Sequence, residues 1–149
     1  MSEEEELSPL HLASRNNALE AIRLLLQAGA KVDEKDRFGW TALHFACYYG
    51  HADSVALLMV AGASSSATDD EGYTPLHFAC LGDHVDAARA LLQRSTDALQ
   101  IDIRDSTPLY QACCRGNIDM VRLLISFGAD VHAPVMQLSV YLDDIQDLL

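Results

Sequence analysis

Hydrophobic and polar positions recur along this chain with a period of 33 residues. Four segments begin at residues 8, 41, 74 and 107 with a Ser or Thr, and a Leu follows two positions later. Each segment leads to a small residue and then to a Leu- and Ile-rich run, which ends on Gly-Ala in three of the four copies. Such a period predicts four copies of one structural unit that stack side by side.

The polar positions of each unit predict where its helices begin and end. Thr41 is a typical helix N-cap, and Pro75 suits the first helical position of the equivalent helix in the next unit. Gly50 predicts the end of the first helix, because glycine enters the left-handed conformation at little cost. A second helix is expected over roughly residues 53–61, with Gly62 ending it.

Short turns separate one unit from the next. The segments at residues 36–39 and 69–72 both carry the Asp and Gly residues that favour such turns. Helices shorter than about 12–15 residues are marginal on their own in water, so neighbouring units have to bury one another's apolar faces. The pattern therefore predicts an all-α solenoid of stacked helix-turn-helix units.

The repeated unit resembles the ankyrin repeat, and the resemblance covers about residues 7–133. It implies an ankyrin-repeat solenoid with β-hairpin-like fingers along one edge. It also implies a concave face, formed by the fingertips and the first helices, that binds other proteins and carries no catalytic residue. The second unit matches the family pattern at Asp36, Gly39, Thr41, Leu43, His44, Ala46, Gly50, His51, Val55, Leu57, Leu58, Gly62 and Ala63.

On this frame the chain divides into a tail, a repeat domain and a C-terminal segment. Residues 1–6 form an acidic tail, and residues 7–133 form the repeat domain. Residues 134–149 are expected to be a capping helix or a partial fifth repeat, with a docking motif as the alternative. The four repeats are expected at about residues 7–35, 36–68, 69–101 and 102–133.

Two repeats lack the glycine that ends the first helix. Asn17 stands there in repeat one and tolerates the left-handed conformation better than most residues. Asp83 stands there in repeat three, directly after Gly82. Repeat three also lacks its terminating glycine, and no Asp-x-x-Gly turn precedes residue 107. An irregular end over residues 94–106 and a blunted finger on repeat four are therefore expected.

The charge of the chain restricts the class of partner. With 10 basic and 22 acidic side chains, the formal net charge is −12. Nucleic acid is not expected as the partner, because Lys and Arg supply the affinity for phosphates. No apolar run reaches the roughly 20 residues of a membrane span. The composition instead favours a partner protein with a basic or mixed apolar and basic surface.

The four cysteines indicate reduced thiols. The acidic start of the chain lacks the basic and apolar regions of a signal peptide, so a cytoplasmic or nuclear location is expected. Cys47, Cys80 and Cys113 share one position of the repeat and are expected to be small buried residues. Cys114 is expected to be the exposed thiol.

Three histidines, His11, His44 and His77, occupy one position of the repeat and invite a zinc-site interpretation. Equivalent positions of stacked helices lie about 8–10 Å apart, whereas two nitrogens on one zinc ion are only about 4 Å apart. The resemblance implies that these histidines connect repeats by hydrogen bonds. No catalytic residue, metal site or cofactor is predicted, and a thiol- or metal-dependent activity stays as an alternative.

Five aromatic residues occupy repeat positions on the expected concave face, and Asp70 and Glu71 lie at its rim. Trp, Tyr and Arg are the usual anchors of protein interfaces. Phe45 and Phe78 are expected in the core, and packing against neighbouring fingers is the alternative for Phe38 and Trp40. The predicted partner-binding residues are Arg37, Phe38, Trp40, Tyr48, Tyr49, Asp70, Glu71, Tyr73, Leu81 and Arg115.

These observations predict a non-catalytic protein-binding module, a scaffold or adaptor that is a monomer in isolation. It is expected to bind through the concave face and the fingertips. An inhibitory subunit that covers a partner enzyme's active site with the same face is the alternative.

Overall fold

The computed structural model of the protein describes residues 7–99 and 106–132, and eight α-helices lie within these two segments. The described part contains no β-strand, so the all-α prediction is confirmed. In chain order the helices are α1 (Pro9–Arg15), α2 (Leu19–Gln27), α3 (Ala42–Tyr48), α4 (Ala52–Val60), α5 (Pro75–Leu81), α6 (Val85–Leu92), α7 (Pro108–Arg115) and α8 (Ile118–Ser126).

Several predicted segments lie outside the described residues. They are the acidic tail at residues 1–6, the C-terminal segment at 134–149, and residues 100–105, which hold most of the predicted finger of repeat four. Residues 94–99 contain turns and no helix, as do the equivalent residues 61–66 of repeat two, so the irregular end over residues 94–106 stays a prediction. Of the eight described helices, none has the length and apolar character needed to span a membrane.

The first helix of each repeat begins at the Ser or Thr that the sequence predicts. The hydroxyl oxygens of Ser8, Thr41 and Thr74 each accept a hydrogen bond from the backbone N–H three residues on. That third residue is a histidine, and its Nδ1 accepts a hydrogen bond from the N–H of the capping residue. The reciprocal pair fixes both the start of the helix and the orientation of the imidazole.

Residues in the left-handed conformation follow the first helices, as predicted. Gly50 and Gly116 have φ angles of 76° and 70°, and Asn17 has a φ of 54°. In repeat three Asp83 takes this role with a φ of 58°, whereas Gly82 has a φ of −91°. Asn and Asp tolerate this conformation because their short polar side chains form local hydrogen bonds. The turn is therefore kept in repeats that lack the glycine.

The helices are arranged in two rows. In the first row α1, α3, α5 and α7 pack on one another in order, and in the second row α2, α4, α6 and α8 do the same. The two helices of each repeat also pack together. Fully buried leucines from every repeat except the first join one core: Leu43, Leu58, Leu76, Leu91 and Leu124. Each repeat is therefore stabilised by its neighbours, as in a solenoid.

The repeated histidines connect consecutive repeats, as predicted. Nε2 of His44 donates to the carbonyl oxygen of Tyr73 at 2.8 Å, and Nε2 of His77 donates to that of Ser106 at 3.2 Å. His11 makes the same kind of bond, at 2.8 Å, to the segment that leads into repeat two. Since Nδ1 accepts a hydrogen bond, Nε2 carries the proton. Both ring nitrogens are therefore used, and neither presents a lone pair to a metal ion.

The cysteines fall into a buried pair and an exposed pair. Cys47 and Cys80 are buried, as predicted, and burial raises the pKa of both thiols, that of Cys80 to about 12. The exposed position predicted for Cys114 is confirmed. Cys113 is also exposed, so the prediction that it is buried is wrong. Helices α3 and α5 each lie between two other first helices, whereas among the described residues α7 packs on one first helix, α5, and on its own second helix, α8.

This division predicts the reactivity of the thiols. Ellman's reagent should react within minutes with two thiols of the folded protein, Cys113 and Cys114, and with all four after unfolding in guanidinium chloride. Thiolate is the reactive form, and burial suppresses it in Cys47 and Cys80. In the Cys114→Ser variant only one thiol, that of Cys113, should react within minutes. A single fast thiol in the wild-type protein would contradict the exposure of Cys113.

Candidate functional site

Two tight turns, Asp36–Trp40 and Asp69–Tyr73, form the fingers of repeats two and three. Each is closed by a 2.9 Å hydrogen bond from the N–H of its Asp to the carbonyl oxygen of its last residue. The two fingers are joined by a third bond, in which the N–H of Asp70 donates to the carbonyl oxygen of Phe38 at 2.9 Å. These bonds give the fingers the hairpin-like shape that the ankyrin resemblance implies.

An aspartate side chain fixes the shape of each finger. Oδ1 of Asp36 accepts hydrogen bonds from the N–H groups of Phe38 and Trp40, at 2.9 and 2.8 Å. Oδ1 of Asp69 accepts the equivalent pair in the next finger, at 3.0 and 2.7 Å. Asp36 and Asp69 are not among the site residues predicted from the sequence. Their signal is the Asp-x-x-Gly spacing, because Asp commonly bonds the backbone two residues on.

Aromatic side chains from both fingers and from α3 and α5 meet on one side of the stack. The ring of Trp40 lies at the centre of the group, with its centroid 4.6 Å from that of Phe78 and 5.1 Å from that of Phe45. Tyr48 lies 5.4 Å from Trp40 and 5.0 Å from Tyr49. We call the set Phe38, Trp40, Tyr48, Tyr49 and Tyr73 the aromatic face.

The aromatic face rests on two buried rings. Phe45 and Phe78 are only 6% and 4% exposed, so their predicted place in the core is confirmed. They occupy the same position in α3 and α5, 33 residues apart. Gln111 stands at this position in α7, so the row of buried rings ends at repeat three.

The rings of the aromatic face differ in how much they meet the solvent. Phe38, Tyr48 and Tyr49 are 50%, 43% and 45% exposed. Trp40 and Tyr73 are partly buried, because both pack against Phe78. The rings that Trp40 contacts belong to helices α3 and α5 rather than to a neighbouring finger, so its ring supports the face as well as forming it.

A pocket of about 310 Å³ opens in the aromatic face between the two fingers. Four aromatic residues line it, and its three acidic residues come from the finger of repeat three. Asp70 and Glu71 are exposed at its edge, in agreement with their predicted place at the rim. The residues around this finger pocket are Phe38, Trp40, Tyr73, Phe78, Asp69, Asp70 and Glu71.

The structure places Arg37 beside the aromatic face, whereas none of the contacts found for Leu81 and Arg115 in the described residues joins them to it. Arg37 is exposed, with its guanidinium carbon 4.8 Å from the ring centroid of Phe38. Leu81 is partly buried at the end of α5. Arg115 forms two hydrogen bonds to the Asp83 carboxylate, at 3.0 and 3.1 Å. The guanidinium thus lowers the pKa of Asp83, and Arg115 connects repeats three and four.

Comparisons with known proteins agree with this architecture. A family model described as ankyrin repeats (3 copies) matches residues 1–69 and 52–134. Protein phosphatase 1 regulatory subunit 27, from Homo sapiens and Mus musculus, is 44% identical over 41 residues, which are 28% of this chain and 27% of that protein. Inversin from Canis lupus familiaris is 45% identical over 47 residues, which are 30% of this chain and 4% of that protein.

The alignments thus span about a quarter of the length of the phosphatase subunits and a small part of inversin. The family model, in contrast, matches most of this chain. Ankyrin repeats are protein-interaction modules. The described residues contain helix pairs whose first helix is capped, left-handed turns, and histidines bonded to the next repeat. This chain belongs to the ankyrin repeat family.

Proposed function

We propose that this chain is a non-catalytic protein-binding module and that its partner binds the aromatic face. One observation carries this proposal: Phe38, Tyr48 and Tyr49 are each about half exposed in one group of rings. Tyr48 contacts Trp40 and Tyr49, and Phe38 lines the finger pocket together with Trp40. A contiguous apolar area in contact with water commonly marks an interaction site. Tyr and Trp are also the side chains that most often anchor interfaces.

The scaffold holds these rings in place before a partner arrives. The Asp36 carboxylate fixes the backbone of Phe38 and Trp40, and Tyr48 and Tyr49 lie at the end of a capped helix packed on its neighbours. Binding loses less conformational entropy when the contacting side chains are already ordered. The arrangement suits a scaffold or adaptor that presents a preformed surface.

The charge around the face supports a partner with basic groups. Asp70 and Glu71 are exposed at its edge, and the whole chain carries a net charge of −12. Complementary charges steer the approach of a partner and disfavour acidic competitors. A mixed apolar and basic surface on the partner fits both the rings and the carboxylates.

The test compares two double variants that remove exposed hydrophobic side chains from different places. Tyr48→Ala/Tyr49→Ala removes part of the aromatic face, and Ile118→Ala/Ile125→Ala removes residues of α8 that are 60% and 48% exposed. A partner captured by the immobilised wild-type chain is identified, purified and titrated against each variant. The tyrosine variant should bind about a hundredfold more weakly, since two interface anchors are lost. The isoleucine variant should bind as the wild type does.

Thermal unfolding provides the control for the fold, and both double variants should unfold within a few degrees of each other. Partner binding that survives the loss of Tyr48 and Tyr49 but not that of Ile118 and Ile125 would place the interface on α8 instead. Trp40→Ala is a poorer test, because this side chain also packs on Phe45 and Phe78 and its loss lowers the stability.

A regulatory subunit of an enzyme is the second candidate function. The similarity to protein phosphatase 1 regulatory subunit 27 supports it, over the short segment stated above. Purified chain would be titrated into the protein phosphatase 1 catalytic subunit while phosphatase activity is measured. Inhibition that the Tyr48→Ala/Tyr49→Ala variant loses would support occlusion of the enzyme by the aromatic face. Unchanged activity and no binding would remove this candidate.

A further inference from the structure

We propose that the finger pocket binds one arginine side chain of the partner protein. This inference rests on the proposed function and specifies the chemistry of one contact within it. The pocket combines aromatic rings and carboxylates around one space of about 310 Å³, a combination that neither an apolar side chain nor an anion satisfies.

The lining of the pocket favours a cation. The faces of Trp, Tyr and Phe rings carry partial negative charge, and a cation within about 6 Å of a ring centroid is attracted to it. Trp40, Tyr73 and Phe38 contribute such rings, and Asp70 and Glu71 add formal negative charges at the edge. The residues that line the pocket include no Lys, Arg or His. A cation that enters this space is therefore attracted both by the rings and by the carboxylates at its edge.

The geometry favours a guanidinium over an ammonium group. A guanidinium is planar, so it stacks on a ring and at the same time donates two parallel hydrogen bonds to a carboxylate at its edge. Aromatic rings and carboxylates are adjacent in the pocket, as such a combination requires. The protein itself already shows the stacking part of this chemistry, since the Arg37 guanidinium carbon lies 4.8 Å from the Phe38 centroid.

Trp40 provides a direct readout, because it is the sole tryptophan of the chain and lines the pocket. N-acetyl-arginine methylamide is titrated into the full chain while tryptophan emission is recorded. The matched probes are the lysine, trimethyl-lysine and citrulline derivatives, of which citrulline has the shape of arginine without its charge. The arginine derivative should give a saturable change and bind at least about fivefold more tightly than each of the other three.

Two charge-neutralising variants provide the structural control. Asp70→Asn/Glu71→Gln removes the two exposed carboxylates at the edge of the pocket, and Glu20→Gln/Asp53→Asn removes two exposed carboxylates on α2 and α4. The first variant should bind the arginine probe about tenfold more weakly, and the second should match the wild type. The two variants have the same net charge, so a long-range charge effect would weaken the binding of the arginine probe equally in both. Equal weakening in the two variants would therefore overturn the proposal.

Other outcomes also decide the question. Tighter binding of the lysine or trimethyl-lysine probe would show that the pocket prefers that group to arginine and would overturn the proposal. Equal binding of the citrulline probe would show that the positive charge does not contribute to recognition, which would also overturn it. A pocket variant that loses the arginine response but keeps full affinity for the captured partner would overturn this inference while leaving the proposed function in place. Partner binding that survives Tyr48→Ala/Tyr49→Ala would overturn the proposed function instead, whatever the probe does.

Discussion

Replacing His44 with alanine should lower the free energy of unfolding by about 3–4 kcal/mol. The imidazole is fully buried and makes hydrogen bonds at both nitrogens. Its removal leaves the N–H of Thr41 without an acceptor, and an orphaned buried group of this kind costs about 1–3 kcal/mol. The carbonyl oxygen of Tyr73 loses one of its two hydrogen bonds and keeps the one from the N–H of Asp69. The cavity adds lost packing, including the contact with the Phe78 ring at 5.4 Å.

Urea unfolding followed by circular dichroism measures this loss. His132→Ala is the control, because His132 is exposed and its replacement should change the free energy of unfolding by less than about 0.5 kcal/mol. A loss below about 1 kcal/mol in His44→Ala would show that water replaces the imidazole and that this bond does not hold repeats two and three together.

The pH dependence of stability provides a second signature of His44. Burial lowers its pKa to about 4 from the ordinary 6.5, so the unfolded chain binds the proton more readily than the folded one. Stability from this group is therefore complete above pH 6.5 and is lost as the pH falls toward 4. Between pH 7.5 and pH 5 the wild type should lose about 2 kcal/mol from this source, and His44→Ala should lack that component.

The features that the sequence predicts correctly depend on neighbours along the chain. A cap such as Thr41 needs only the backbone of the next turn, and the left-handed conformation of Asn17 follows from the preferences of that one residue. The repeat period then places every copy in register. For this reason the helix bounds and the caps agree with prediction, whereas the bonds of the repeated histidines to the next repeat are implied by the ankyrin resemblance.

Features that depend on what lies across a repeat boundary are predicted less well. Cys113 shares its repeat position with two buried cysteines, yet it is exposed, because position in the repeat does not report which helices lie alongside. Trp40 stands at a repeat position that predicts an exposed side chain, and its partial burial comes from contact with Phe78 in the next repeat. The finger pocket likewise exists only because the finger of repeat three lies against that of repeat two.

The same contacts therefore stabilise the stack and shape the candidate site. The bond from Asp70 to the Phe38 carbonyl joins two fingers and also sets the width of the pocket between them. A change that separates the fingers should lower stability and alter the pocket together. Gly39, which lies in the finger of repeat two and is buried, offers such a change.

Gly39→Ala should lower the free energy of unfolding by about 3 kcal/mol. The φ of Gly39 is 81°, a conformation that costs a residue with a Cβ about 1–2 kcal/mol. The added Cβ would also lie 2.9 Å from the backbone nitrogen of Asp70 and 3.1 Å from the Cα of Asp69. Backbone atoms cannot rotate away, so the fingers have to move apart and weaken the bond to the Phe38 carbonyl.

Gly29→Ala is the matched control, because Gly29 has a φ of 95° and a Cβ there would have no atom within 4 Å. It should cost only the backbone strain of about 1–2 kcal/mol, so the difference between the two variants measures the packing between the fingers. Gly39→Ala should also change the emission of Trp40, whereas Gly29→Ala should not. The two positions differ in one respect: only at residue 39 would the added Cβ collide with the neighbouring finger. Equal losses of stability in both variants, with unchanged Trp40 emission, would therefore show that the fingers move apart at no cost.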